Sequence, residues 1–85
     1  MILVTKHEIE VLKKGYQRKC RVAKVRREAN PKSEAYTEAE DERVGYLQAA
    51  MELLEVGKLI GSSRHIIDEW EAEIGFVDPR RRGDY

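Results

Sequence analysis

Cysteine is nearly absent from this chain: Cys20 stands alone, so no disulfide can close within it and a reducing compartment is expected. Proline occurs only at Pro31 and Pro79, which leaves long stretches without the residue that most often breaks helices. Large aromatics are scarce, with four Tyr, one Trp and one Phe. A core built from so few is thin, and small helical chains of this kind often finish burying their surface in an oligomer. No apolar run approaches the roughly 18 residues that a membrane span needs. The opening "MILVTKHE" has three apolar residues and then charge, which does not read as a signal peptide. A cytoplasmic location without membrane attachment is therefore expected. Also missing are a nucleophile elbow, a Gly-rich phosphate loop and a pair of cysteines for zinc.

What is there is charge, and it is unevenly placed. The 85 residues hold 16 Lys/Arg and 16 Asp/Glu. Residues 1–29 carry nine Lys/Arg and three Glu, a net +6, whereas residues 30–56 carry two Lys/Arg and seven Asp/Glu, a net −5. Residues 57–75 have a net charge of −2 and residues 76–85 of +1. The stretch "KKGYQRKCRVAKVRR" (13–27) has eight basic residues and no acid. Such asymmetry points either to an outside partner or to charges that meet each other.

The spacing predicts three helices in one domain over residues 1–78, followed by a basic C-terminal tail over 79–85 that is expected to be mobile. Thr5 is a candidate N-cap with Glu8 completing a capping box, and this first helix runs to Ala29, where "ANPKS" breaks it. Ser33 or Thr37 caps a second helix reaching about Ile60, with acids in its first turns where the helix dipole favours them. Gly61 can end it, Ser62 or Ser63 can cap a third helix to about Ile74, and Gly75 is a stop signal. The fold class expected is all-α: an antiparallel helical hairpin plus a short third helix, oligomeric.

The helix faces refine this. On the first helix, Ile9, Leu12, Tyr16, Cys20 and Ala23 form one apolar stripe. Val4, Val11, Gly15, Val22, Val25 and Ala29 form another on the far side. Two stripes imply two neighbours, either a second subunit or the third helix. The second helix has a wide apolar arc: Tyr36, Ala39, Tyr46, Leu47, Ala50, Leu53, Leu54, Gly57 and Ile60. "GKLIG" (57–61) has Gly-x-x-x-Gly spacing but is too polar for a membrane. The third helix aligns Ile66, Trp70 and Ile74. Tyr16, Tyr46, Leu54 and Trp70 are the expected core or interface anchors.

No catalytic set emerges from the residues. His65 and Glu69 share a helix face, but two ligands do not make a metal site; His7 sits among Glu8 and Glu10 in a first turn. No metal and no cofactor are expected. Glu52-x-x-Glu55, followed by Glu69, Glu71 and Glu73, resembles the all-helical MazG-like nucleotide pyrophosphohydrolases. That resemblance implies carboxylates on two helices holding Mg²⁺ against a triphosphate. The chain departs from the family's pattern in "MELLE" (51–55), which lacks paired glutamates before the spaced one, and at Phe76, where an aspartate belongs. A solvated acidic face is the simpler account of these acids.

Lys6, Lys13, Lys14, Arg21 and Lys24 form a basic strip on the first helix, and Arg80, Arg81 and Arg82 continue the basic character in the tail. Nucleic-acid binding would use them together, but no aromatic interleaves the strip for base stacking. In an antiparallel hairpin the basic end of the first helix lies beside the acidic start of the second. Part of the charge is then compensated within the chain or across a dimer, and Lys6, Lys13 and Lys14 are left for an outside partner. The function expected is that of a small non-enzymatic binding protein acting stoichiometrically on a protein or nucleoprotein. Phage or mobile-element accessory proteins, including anti-CRISPR-like anti-defence inhibitors, are of this type. The alternatives are a nucleic-acid-binding regulator using the first helix, and the metal-dependent pyrophosphohydrolase.

Overall fold

The Thr5 hydroxyl oxygen accepts the Glu8 amide at 3.1 Å, satisfying one of the amides that a helix start leaves without a partner. From this cap α1 (Lys6–Ala29) runs for 24 residues. The computed structural model describes residues 5–56 and 63–78. Arg26 and Arg27 fill the last turn of α1, where the dipole favours cations. Asn30 then turns extended, donates its amide to the Arg26 carbonyl, and accepts the Lys32 amide on its side chain at 3.0 Å.

Ser33, rather than Thr37, starts α2 (Glu34–Val56). Its Oγ accepts the Tyr36 amide at 3.1 Å and donates to the Asn30 carbonyl at 2.8 Å. Thr37 instead donates its hydroxyl back to the Ser33 carbonyl. The third helix, α3 (Ser63–Glu73), ends in a turn that only a left-handed residue closes well. Gly75 has φ +67; its amide bonds the Ala72 carbonyl, and the Phe76 amide reaches back to the Glu71 carbonyl at 2.9 Å. That pattern turns Phe76 back onto the helix it has just left.

The all-α expectation holds: among the described residues there are three helices and no strand. No helix among them is long and apolar enough to cross a membrane. Contacts between α1 and α2 join Tyr16 to Tyr46, Lys19 to Glu42 and Arg26 to the Ala35 carbonyl. One core links all three helices: Tyr16 and Cys20 from α1, Leu47, Ala50 and Leu54 from α2, Ile67 and Trp70 from α3, and the returning Phe76. Each fully buried aliphatic there contributes roughly 1.5–3 kcal/mol. The residues of the first α1 stripe meet this core, with Ile9 and Leu12 half-buried against it. Of the second stripe, Val11, Val22 and Val25 are exposed, whereas Gly15, expected on the same far side, lies against Tyr46 of α2. Val4, Gly57, Ile60, Gly61, Ser62 and the tail with Arg80, Arg81 and Arg82 lie outside the described residues.

Candidate binding cleft and the arginine beneath it

Arg43 is 0% exposed. An arginine cannot shed its charge, so burial is tolerable only if every donor is matched. α2 brings Glu40 one turn before it, and the two form a forked pair: Nη2 to Oε2 at 2.6 Å and Nε to Oε1 at 2.7 Å. The segment after α3 brings Asp78, which takes a second fork at 3.2 Å and 3.4 Å. α1 brings Tyr16, whose hydroxyl accepts from Nη1 at 3.0 Å and donates to Glu71 Oε2 at 2.6 Å. Phe76 covers the guanidinium face, its ring centre 5.1 Å from Cζ. The Schellman turn at Gly75 thus places both Phe76 and Asp78.

The titration behaviour follows from this crowding. Burial disfavours the Arg43 cation, but the Glu40 hydrogen bond and the surrounding negative groups outweigh it and hold the group above its ordinary value. Glu71 is raised, first by burial; the Tyr16 hydroxyl, Arg64 and Arg43 oppose this, and Arg64 Nη2 lies 3.6 Å away. Burial and the bond to Glu71 raise Tyr16. Cys20, buried below, is pushed up to about 11, chiefly by desolvation, so it is a protonated core thiol at neutral pH.

Over this network lies an open cleft of about 460 Å³. Its walls include Lys24 and Arg27 from the end of α1, Tyr36 and Glu40 from the start of α2, and Phe76 and Val77 from the returning segment. Glu40 and Phe76 both line the cleft and hold Arg43, so the cleft wall is fixed from below.

The sequence-predicted residues fall into separate groups. Of the basic strip, Lys24 lines the cleft, and Lys6, Lys14 and Arg21 are exposed. Lys13 is not free: its Nζ lies 2.8 Å from Glu73 Oε2, and that hydrogen bond keeps the ammonium above its ordinary value. Tyr16, Leu54 and Trp70 are buried in the core, and Tyr46 packs against it half-buried. The acids of the pyrophosphohydrolase resemblance do not converge. Glu71 is bonded to Tyr16, Glu73 to Lys13, Glu69 to His65 and Glu55 to Ser63. No group of three His, Cys, Asp or Glu among the described residues could hold a metal ion.

Sequence reasoning missed Arg43 and Asp78. The signal for Arg43 is present: it stands between Ala39 and Leu47 at four-residue spacing, inside the apolar arc of α2. A cation in that register is buried or misplaced. No known family model, curated protein or solved structure matches this chain.

Proposed function

We propose that this chain is a non-enzymatic binding protein, an antiparallel hairpin of α1 and α2 braced by α3, working as a dimer or higher oligomer. It acts stoichiometrically, as an adaptor or inhibitor, on an acidic protein or a nucleoprotein. The observation that carries this reading is the division of charged groups. Arg43 and Glu71 are buried and bonded to other groups of the chain, whereas Lys24 and Arg27 stand on an open cleft beside Tyr36, Glu28 and Glu40. A cleft with an aromatic wall and charged groups of both signs on its rim suits recognition, since aromatics and arginine are the residues that most often anchor interfaces.

A second reading gains from the same place. Tyr36 with Lys24 and Arg27 supplies the aromatic-plus-cation pairing that single-stranded nucleic acid uses, which the basic strip of α1 lacks by itself. One comparison separates the two. Tagged wild-type protein and a Lys24→Glu/Arg27→Glu variant are used to capture partners from the source cells, with and without nuclease. Partners lost in the variant and retained after nuclease support the protein reading. Partners lost with nuclease, together with a steep salt dependence for a labelled oligonucleotide, support the nucleic-acid reading. Identical capture by both proteins rejects the cleft.

A further inference from the structure

We propose that the face of α1 and α2 turned away from α3 is a self-complementary interface, on which a second copy of this chain docks with α1 of each copy lying over α2 of the other. This rests on the hairpin reading but not on what the cleft binds.

Of the five large hydrophobics exposed among the described residues, four belong to α1 and α2: Val11 at 55%, Val22 at 39%, Val25 at 65% and Leu53 at 41%. At about 100° per residue, Val11, Arg18, Val22 and Val25 share an arc of about 60° on α1, on the side away from Tyr16. Glu38, Glu42, Gly45, Ala49 and Leu53 share an arc of about 80° on α2, away from Arg43, and all five are exposed. The opposite side of the pair is taken by α3, through Gln17 to the Trp70 carbonyl and Lys13 to Glu73. A methyl added at Gly45 would meet nothing within 4 Å, so no side chain of this chain covers α2 there and an opposing helix can come close.

Charge decides the occupant. The α1 side of this face carries Lys14, Arg18 and Arg21, and the α2 side carries Glu38, Asp41 and Glu42, all of them exposed. Among the described residues only Glu42 of these six forms an ion pair within the chain, with Lys19 at 3.3 Å. One edge is therefore basic and the other acidic, and the same surface can satisfy itself when turned over. A two-fold axis parallel to the helices does this and keeps axial levels. Lys19 is level with Glu42 and Arg26 with Ala35, so Arg18 is level with Arg43, Arg21 with Glu40, and Val11 with Ala50. In the dimer, Arg18 and Arg21 of one copy then approach Glu38, Asp41 and Glu42 of the other. Val11 approaches Ala49 and Leu53. The other two-fold, across the helices, stacks α1 on α1 and α2 on α2, setting the basic edge against itself and the acidic edge against itself, which like-charge repulsion disfavours. Homodimer surfaces of this isologous kind need only one patch. The area is adequate: two helices about 35 Å long, together about 20 Å across, offer roughly 700 Å², close to the ~800 Å² per partner of a stable interface.

The test uses two charge-reversed full-length variants, Arg18→Glu/Arg21→Glu and Glu38→Arg/Asp41→Arg, with helix content followed by circular dichroism. Sedimentation equilibrium at micromolar concentration should find wild type dimeric. Each variant alone should dissociate at least about tenfold more readily, because like charges now oppose each other. An equimolar mixture should recover the dimer, and native mass spectrometry should show it to be the mixed species, since each acidic edge again meets a basic one. A mixture that stays monomeric overturns the proposal, as do variants that self-associate like wild type. A monomeric wild type also overturns it and leaves the face to a different protein. Zero-length carbodiimide coupling of Lys19 to Glu42 within one chain reads the hairpin separately. If that link forms in a monomeric wild type, the dimer is wrong and the hairpin stands; if it fails, the hairpin itself is wrong and the proposal falls with it.

Discussion

Arg43 and Asp78 are separated by 35 residues in sequence and by 3.2 Å in space, and both are buried. This pair ties the segment that follows α3 to the middle of α2, and it does so in the interior, where a charge left alone is costly. Removing one partner of a buried pair costs about 3–5 kcal/mol, because the other charge stays behind. Arg43→Met should therefore lower unfolding stability in urea by about that amount. Arg43→Lys should also destabilise, since an ammonium cannot fork to Glu40 and Asp78 at once. A loss under about 1 kcal/mol for Arg43→Met would mean that the network does not hold the segment.

Glu71 gives the fold a pH dependence of definite sign. Burial raises its pKa above the ordinary 4.5, so the folded state binds the proton more tightly than the unfolded chain. Its contribution is fully present below the ordinary value and is lost as pH rises through the raised one. Glu71→Gln keeps an acceptor for Tyr16 and removes the titrating group. The stability of this variant relative to wild type should therefore rise between pH 4 and pH 7. A constant difference across that range would show that the carboxyl titrates normally.

Cys20 is 0% exposed and its pKa is pushed up to about 11. A thiol reagent at pH 7.5 meets neither an accessible sulfur nor a thiolate. Labelling should therefore proceed only through opening of the core, and its rate should climb with urea in parallel with unfolding measured by circular dichroism. Rapid labelling in native buffer would show that the α1 stripe is not packed as described.

The parts of this architecture legible in the sequence are those written in short-range chemistry. Thr5, Ser33 and Gly75 mark helix boundaries because capping needs specific side chains at fixed offsets, and the structure uses all three. The stripe from Ile9 to Ala23 is legible because helix periodicity maps directly onto a face. What the sequence hides is set by how helices dock. Counting Lys13 as a free cation fails because Glu73 arrives only once α3 has been placed. The cleft is hidden likewise: Lys24, Tyr36 and Phe76 come from distant parts of the sequence and meet only where the elements that carry them pack. Arg43 is an intermediate case, since its register inside an apolar arc predicts burial, while the identity of Asp78 as its partner does not follow from any spacing.

At Gly15, α1 meets the Tyr46 side chain of α2 with no room for a Cβ. A methyl built there would overlap the Tyr46 hydroxyl and lie 2.8 Å from Tyr46 Cζ. Tyr46 in turn stacks on Tyr16, ring centres 6.4 Å apart, so swinging it away gives up that ring contact. Two effects compete in Gly15→Ala. Helix propensity favours Ala over Gly by about 1 kcal/mol, whereas forcing a methyl into a filled site costs typically about 1–3 kcal/mol. The clash involves both the hydroxyl and the ring carbon of a side chain stacked on Tyr16, so the second effect should win and Gly15→Ala should destabilise. Replacing Tyr46 by Ala as well removes the obstacle. In that background Gly15→Ala should become stabilising, by up to about 1 kcal/mol. The sign change across the double-mutant cycle, read from urea midpoints at constant m-value, is the diagnostic. If Gly15→Ala stabilises both backgrounds equally, the two helices do not meet at this point.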